Sequence, residues 1–259
     1  MQEILFRCAS ALLCAASIAA HAETLTVTTP RGAKVEVVAD FPAGAGPFAA
    51  IVLAPGQGYH MALPALEQTA ARLVSHGVAV YRFNWAYFTA APKPGSPSDD
   101  LSSELQDMNA VLAAAEAEPR VNRSKLSVGG KSLGSVVAWR VLVANKTLRS
   151  GLFLTAVCSR VAKGQAVPTA MADENYPGVA AESRPLLFIS GDRDPLCAPP
   201  VLYRFAAQAG GSARVAIVGG DHSYQNSALT GVAADEARAR SINAVSQLAA
   251  DFLLDVVGR

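Results

Sequence analysis

Residues 126–144 read LSVGGKSLGSVVAWRVLVA, and this stretch decides the fold. Its first residues have the apolar character of a short buried strand, and its last residues have the apolar spacing of a helix. Between them, positions 130–134 form a G-x-S-x-G sequence centred on Ser132. In a strand–turn–helix context this sequence places a serine on a strained turn, where bulky flanking side chains would collide with backbone. Gly130 and Gly134 supply the necessary room.

Short apolar runs recur on both sides of this stretch. They are AAIVLAP (49–55), VAVYRFNW (78–85), GLFLTAV (151–157), PLLFISG (185–191) and ARVAIVGG (213–220). Runs that are apolar throughout indicate strands buried on both faces, as in a parallel sheet. The segments between them have helical spacing: LPALEQTAARLVSHG, DLSSELQDMNAVLAAAEAE, PPVLYRFAAQAG and, last, DEARARSINAVSQLAADFLLDVV. This alternation predicts a doubly wound α/β fold with helices on both sides of a mostly parallel sheet.

Residues 24–40 have a different pattern, in which apolar and polar side chains alternate before and after Pro30-Arg31-Gly32. This pattern predicts an antiparallel hairpin ahead of the parallel strands. Loops 86–98 and 158–184 are longer than tight connections, and both leave the carboxyl ends of strands, where ligands bind in open α/β sheets. Neither loop is long enough for a large lid domain. We expect a single domain over residues 23–259.

The composition is nearly neutral. Among 259 residues, 22 are lysine or arginine and 21 are aspartate or glutamate. This balance gives no field that would recruit nucleic acid or anionic lipid, and it suits a small neutral substrate. The sequence contains no H-E-x-x-H, paired C-x-x-C or G-x-G-x-x-G, so we expect neither a metal nor another cofactor. The oligomeric state is not encoded in any of these patterns.

Residues 1–22, MQEILFRCASALLCAASIAAHA, have Arg7 before an apolar run and end in a small-x-small triplet. This pattern predicts a signal peptide cleaved after Ala22, and hence a secreted or periplasmic protein without a stable membrane span. An uncleaved anchor is the alternative. A lipidation site at Cys14 is disfavoured by the bulky leucine before it.

The hydroxyl of Ser132 requires a base within hydrogen-bond reach and an acid that holds this base in the reactive tautomer. The chain order expected after such a nucleophile is acid and then histidine. The four histidines are His21, in the signal peptide, His60, after the first core strand, His76, at a helix end, and His222, after the last strand. His222 is therefore assigned as the base, the alternative being a solvated loop residue. Of the two acids after PLLFISG, we assign Asp194 as the acid and expect Asp192 to accept backbone N–H bonds.

Three motifs in order, Gly130-x-Ser132-x-Gly134, Gly191-x-x-Asp194 and Gly219-x-x-His222, resemble the α/β-hydrolase family, most of all its small dienelactone-hydrolase-like members. The resemblance covers essentially the whole mature chain, and YRFNWAY (81–87) is similar to a strand of that group. It implies an oxyanion hole built from the backbone N–H groups of Leu133 and Gln57. Where the family often has His-Gly, this chain has Pro55-Gly56, so a simple turn made by glycines is the alternative for Gln57.

Gly130-Lys131-Ser132 also matches the end of the phosphate-binding sequence G-x-x-x-x-G-K-[ST]. The first glycine of that sequence is replaced by Lys125, which excludes this interpretation. Lys131 is then expected to be solvated or to lie at a substrate rim. Six further side chains on the same side of the sheet are expected either to line an apolar pocket or to pack in the core: Tyr59, His60, Trp85, Tyr87, Phe88 and Tyr224.

Cys158 and Cys197 are the cysteines left after signal cleavage, and either a disulfide or two buried thiols would fit them. GLFLTAV ends just before Cys158, and PLLFISG ends shortly before Cys197. In the family that the chain resembles, consecutive strands after the nucleophile are neighbours. The resemblance therefore implies that these two strands lie about 4.8 Å apart and that their loops begin side by side, which favours a disulfide.

The resulting prediction is a serine hydrolase that cleaves an ester or related small acyl substrate through an acyl-enzyme. The alternative is a non-catalytic binding or scaffold protein on the same fold.

Overall fold

The computed structural model describes residues 19–90, 93–160, 167–209 and 213–258. The strands are β1 (His21–Thr28), β2 (Lys34–Phe41), β3 (Phe48–Ala54), β4 (Val78–Phe83), β5 (Val121–Lys131), β6 (Gly151–Leu154), β7 (Ser159–Arg160), β8 (Thr169–Ala170), β9 (Leu186–Gly191) and β10 (Ala213–Val218). The helices are α1 (Pro64–Ser75), α2 (Ser102–Ala117), α3 (Leu133–Ala144), α4 (Ala172–Asn175), α5 (Pro199–Ala206) and α6 (Gly231–Gly258), with a 3-10 turn at Val179–Ala181.

Eight strands form one sheet in the order β1-β2-β4-β3-β5-β6-β9-β10. The pairs β1·β2 and β2·β4 are antiparallel, and every later pair in this order is parallel. Strands β7 and β8 form a separate small antiparallel pair. The predicted doubly wound sheet with an N-terminal antiparallel hairpin is therefore confirmed.

Each central strand contributes side chains to two hydrophobic cores. In β3, for example, Ala50 and Val52 face one core, whereas Ile51 and Leu53 face the other. Helices α2, α3 and α5 cover the first core, and α1 and α6 cover the second. Because side chains alternate along a strand, a strand that is apolar at every position needs exactly such a helical layer on both faces.

The structure differs from the sequence-based boundaries at the ends of some elements. Strand β6 ends at Leu154, before the predicted end at residue 157, because Thr155 adopts a positive φ of 41°. Strand β4 ends at Phe83, and the buried Trp85 lies in the following turn. Helix α6 begins at Gly231, ahead of the predicted charged start. These ends are set by tertiary contacts rather than by the apolar pattern.

Residues 1–18 of the predicted signal peptide lie outside the described residues. His21 and Ala22, the last two residues of that segment, pair with β2 opposite Phe41 and Asp40. Cleavage after Ala22 would leave β1 paired from Glu23 onward. Within the described ranges, no helix combines the length and apolarity that crossing a bilayer requires.

Candidate active site

Ser132 lies on the turn between β5 and α3, with φ of 55° and ψ of −122°. Its backbone N–H donates to the Leu154 carbonyl at 3.0 Å, which fixes the turn against β6. A Cβ built on Gly130 would lie 2.4 Å from the carbonyl carbon and oxygen of Gly134, and one on Gly134 would lie 2.5 Å from the carbonyl oxygens of Ala54 and Pro55. The two motif glycines are therefore required by close backbone contacts, as the sequence predicts.

The structure brings the three predicted site residues together. Nε2 of His222 lies 2.8 Å from Oγ of Ser132, and Nδ1 lies 2.9 Å from each carboxylate oxygen of Asp194. The carboxylate side chain is fully buried, while the imidazole keeps a 15% exposed fraction. A buried carboxylate beside Nδ1 favours the tautomer with hydrogen on Nδ1, which leaves Nε2 free to accept the serine proton.

Asp194 is held by two further hydrogen bonds. One oxygen accepts the Leu196 backbone N–H at 2.9 Å, and the other accepts the Ser190 hydroxyl at 3.1 Å. Asp192 points elsewhere and accepts the Gly220 N–H at 2.7 Å, which ties the loop after β9 to the loop after β10. This is the structural role that the sequence predicts for Asp192.

The loop that carries His222 is held by hydrogen bonds to Asp221 and by close backbone packing against the loop after β9. Oδ1 of Asp221 accepts the N–H groups of Ser223 and Gln225, at 2.8 and 2.9 Å. A Cβ on Gly191 would lie 2.2 Å from the Gly220 carbonyl oxygen, so the loops after β9 and β10 meet with no room for a side chain. This contact holds the base next to the acid.

Gln57 and Leu133, the residues predicted to form an oxyanion hole, come from two different elements: the loop after β3 and the start of α3. Leu133 is the first residue of α3, where a backbone N–H has no acceptor in its own helix. Gln57 is exposed in the loop after β3. The preceding Gly56 passes so close to the nucleophile that a Cβ there would lie 3.3 Å from Cβ of Ser132. The loop that contains Gln57 therefore passes next to the nucleophile.

Residues 82–85, RFNW, at the end of β4 and just after it, hold the loop after β3 in place. Nη1 of Arg82 donates to the Met61 carbonyl at 3.1 Å, and Oδ1 of Asn84 accepts the Met61 N–H at 2.8 Å. The indole N–H of Trp85 donates to the Pro55 carbonyl at 3.0 Å. The segment therefore shapes the loop that presents Gln57.

Comparison with known proteins shows the family of the chain. The model of the Alpha/beta hydrolase domain family matches residues 47–250 of the chain. The chain belongs to the α/β-hydrolase superfamily.

Solved structures of other α/β-hydrolases are similar in fold. Est1E from Butyrivibrio proteoclasticus, in a structure with ferulic acid bound, has a TM-score of 0.69 at 14% identity, covering 91% of this chain and 100% of that chain. A dienelactone hydrolase from Anabaena variabilis has a TM-score of 0.67 at 16% identity, covering 92% and 98%. An alpha-beta serine hydrolase homologue from Coxiella burnetii has a TM-score of 0.66 at 16% identity, covering 88% and 96%. A search among curated proteins finds no significant match.

A disulfide in this α/β-hydrolase joins Cys158 to Cys197, with their Cα atoms 4.6 Å apart. Two hydrogen bonds reinforce the connection, from the Ser159 N–H to the Leu196 carbonyl and from the Ala198 N–H to the Ser159 hydroxyl, both at 2.9 Å. The bridge thus fastens the segment just after Asp194 to the end of the neighbouring strand.

A buried network below the nucleophile was missed by sequence reasoning. The Ser135 hydroxyl lies 2.6 Å from the Ser132 carbonyl oxygen, to which it donates, and 2.7 Å from the hydroxyl of Tyr176. The Tyr176 hydroxyl in turn accepts the Val157 N–H at 2.8 Å. Burial raises the pKa of Tyr176 well above its usual range, so the phenol stays neutral. Only its three-dimensional position reveals that Tyr176, from the long loop, supports the nucleophile turn.

The structure corrects the expectation for Lys131 and separates the six candidate pocket residues into two groups. Lys131, which we expected to be solvated or at a rim, is 1% exposed and lies beneath the His222 loop. Of the six aromatic-type candidates for a pocket lining, Trp85 and Tyr224 are core residues, whereas Tyr59, His60, Tyr87 and Phe88 keep exposed area. The described residues contain no group of three or more His, Cys, Asp or Glu side chains that could hold a metal ion.

Proposed function

We propose that the protein is a serine hydrolase that cleaves an ester or related acyl compound through an acyl-enzyme. In this proposal Ser132 is the nucleophile, His222 the general base and Asp194 the acid. The observation that carries it is the continuous line of hydrogen-bond distances from Ser132 Oγ through both ring nitrogens of His222 to Asp194, at 2.8 and 2.9 Å. A hydroxyl, a base and an orienting acid in such a line are the requirements of nucleophilic acyl transfer.

The reaction proceeds in two halves. Nε2 of His222 accepts the Ser132 proton while Oγ attacks the acyl carbon, and the N–H groups of Leu133 and Gln57 stabilise the negative charge on the carbonyl oxygen. His222 then gives this proton to the departing alcohol, which leaves Ser132 acylated. In the second half, His222 takes a proton from water as the water oxygen attacks the acyl carbon. The bond from the acyl carbon to Ser132 Oγ then breaks, His222 returns the proton to Oγ, and the carboxylic acid leaves.

Two observations support the oxyanion role: Leu133 follows Ser132 directly at the start of α3, and Gly56, next to Gln57, lies close to Ser132. Preorganised N–H groups stabilise a developing anion without reorganisation, and removing one such donor costs about 100- to 1,000-fold in kcat.

The predicted signal peptide and the disulfide together support a location outside the cytoplasm, since disulfides persist in oxidising compartments. We propose that the mature enzyme is secreted or periplasmic. Amino-terminal sequencing of the protein from an exporting host tests the cleavage after Ala22.

The test of function uses the purified mature protein, p-nitrophenyl esters of increasing acyl length and a fluorophosphonate probe. The expected results are a burst of p-nitrophenol that matches the enzyme concentration and probe attachment at Ser132. Ser132→Ala should lose both while it unfolds at the wild-type temperature. Absence of burst and labelling in the folded wild type would contradict hydrolysis and favour a non-catalytic binding protein.

A further inference from the structure

Lys131 is the last residue of β5 and directly precedes the nucleophile. Its side chain is 1% exposed, and its Nζ donates to the backbone carbonyl oxygen of His222 at 2.8 Å. Among the described residues, the Lys131 ammonium is the one group that donates a hydrogen bond to the His222 carbonyl. One side chain therefore joins the strand that presents Ser132 to the loop that presents His222.

A lysine is rarely buried to this extent, because removing an ammonium from water is unfavourable unless nearby groups compensate. The charged groups that face Lys131 come from three elements: Asp194 from the loop after β9, Asp221 from the loop after β10 and Arg238 from α6. The two carboxylates stabilise the ammonium, and Arg238 opposes it. The aromatic ring of Tyr59 adds a cation–π contact, with its centroid 5.3 Å from Nζ.

Burial is the largest influence on this group and lowers the pKa of Lys131 to about 8. Lys131 is thus mostly charged at neutral pH, although it lies within a dry region.

We propose that Lys131 is a positioning residue for the general base: its ammonium anchors the backbone carbonyl of His222 and so holds the imidazole in place beside Ser132. This inference rests on the proposed serine hydrolase function. The geometry gives it two measurable parts. The hydrogen bond to the His222 carbonyl holds Nε2 toward Ser132, which affects kcat, and the buried Lys131 side chain leaves substrate binding, and therefore KM, little changed.

The variant that separates these parts from simple packing is Lys131→Met, because methionine is of similar length and apolar, and suits a buried site. The matched control is Lys125→Met. Lys125 lies on the same strand and also donates to a backbone carbonyl, that of Val257 in α6. It differs in lying toward the opposite end of β5, away from Ser132.

For Lys131→Met we expect kcat to fall by about tenfold or more, since a small displacement of a catalytic base has an effect of this order or larger. We expect KM to change little. Lys125→Met should keep the wild-type kcat. Lys131→Arg, which retains the charge and N–H donors, should recover part of the kcat that Lys131→Met loses.

A wild-type kcat in folded Lys131→Met would overturn the inference. So would a loss of kcat that merely follows a loss of folded protein, measured by circular dichroism, or a loss of kcat/KM that comes entirely from KM. If Lys131→Met does not fold, Lys131→Gln is the second variant, because glutamine is polar but shorter than lysine and holds the His222 carbonyl less well; its kcat must also fall while KM changes little.

Failure of the proposed function is distinguished by a readout that needs no turnover. If wild-type protein neither hydrolyses esters nor labels with fluorophosphonate, the position of the His222 ring is followed by nuclear magnetic resonance, as the chemical shifts of its ring C–H groups at one fixed pH. Changed shifts in Lys131→Met, with wild-type shifts in Lys125→Met, would support the positioning role independently. Equal shifts in all three proteins would overturn it.

Discussion

Replacing Asp194 by asparagine tests the assignment of the acid. In the native structure both carboxylate oxygens lie 2.9 Å from Nδ1 of His222. One of these oxygens also accepts the Leu196 N–H, which is a fixed donor, whereas the other accepts the Ser190 hydroxyl, which can rotate and become an acceptor. The asparagine carbonyl oxygen should therefore face Leu196, and its NH2 group should take the other position and donate to Nδ1.

A donor at Nδ1 forces the imidazole proton onto Nε2, and His222 can then no longer accept the proton of Ser132. The same substitution also removes the negative charge that stabilises the imidazolium formed during the reaction. In serine protease triads this change lowers kcat by about 10⁴-fold, equivalent to about 5.5 kcal/mol of transition-state stabilisation. We expect a loss of this order for Asp194→Asn.

The assay is the kcat for hydrolysis of a p-nitrophenyl ester, with thermal unfolding measured on the same samples. Asp192→Asn is the matched control from the same loop, because its remaining oxygen still accepts the Gly220 N–H and its contact with Arg193 is exposed. It should change kcat by less than about threefold. Our reasoning is refuted if Asp192→Asn is the damaging change, or if folded Asp194→Asn retains more than a tenth of the wild-type rate.

Three further measurements test other parts of the structure. Thiol titration of the mature protein unfolded without reductant should detect no free thiol from Cys158 or Cys197, and two reactive thiols per chain would refute the bond. Gly134→Ala should lower the free energy of unfolding by about 3 kcal/mol, because the new Cβ meets two carbonyl oxygens at 2.5 Å; wild-type stability in denaturant would contradict this contact. Because burial lowers the pKa of Lys131 from 10.5 to about 8, the unfolded chain binds more protons between these values, so this residue makes stability rise with pH across that window. Urea unfolding at both limits should show a smaller rise in Lys131→Met, and an equal rise would refute the burial argument.

Much of the site was accessible from sequence because its signals are local. The glycines at 130 and 134 flank a strand-to-helix turn, and their spacing alone indicates a serine on a strained backbone. Chain order then selected His222 among four histidines. The structure places that ring between Ser132 and Asp194, as the pattern predicted.

The positions of Tyr176 and Lys131 could not be predicted from the sequence around them. Tyr176 belongs to a long loop, and nothing near it in sequence indicates that its hydroxyl would reach Ser135 beneath the nucleophile. Lys131 carries a charge that favours solvent on its own, so sequence reasoning placed it at the surface. Its burial depends on a carbonyl 91 residues away and on carboxylates from two other loops.

The sequence by itself determined the succession of the main strands and helices along the chain, the turn glycines and the identities of the nucleophile, base and acid candidates. These depend on side-chain periodicity and on backbone sterics, which act over a few residues. The tertiary structure alone decided which carboxylate oxygen meets which donor, how Tyr176 supports the nucleophile turn and why a lysine is stable under the histidine. Those properties arise where the ends of β5, β9 and β10 converge, because hydrogen bonding and desolvation depend on distances in space that the chain sets only when the sheet is complete.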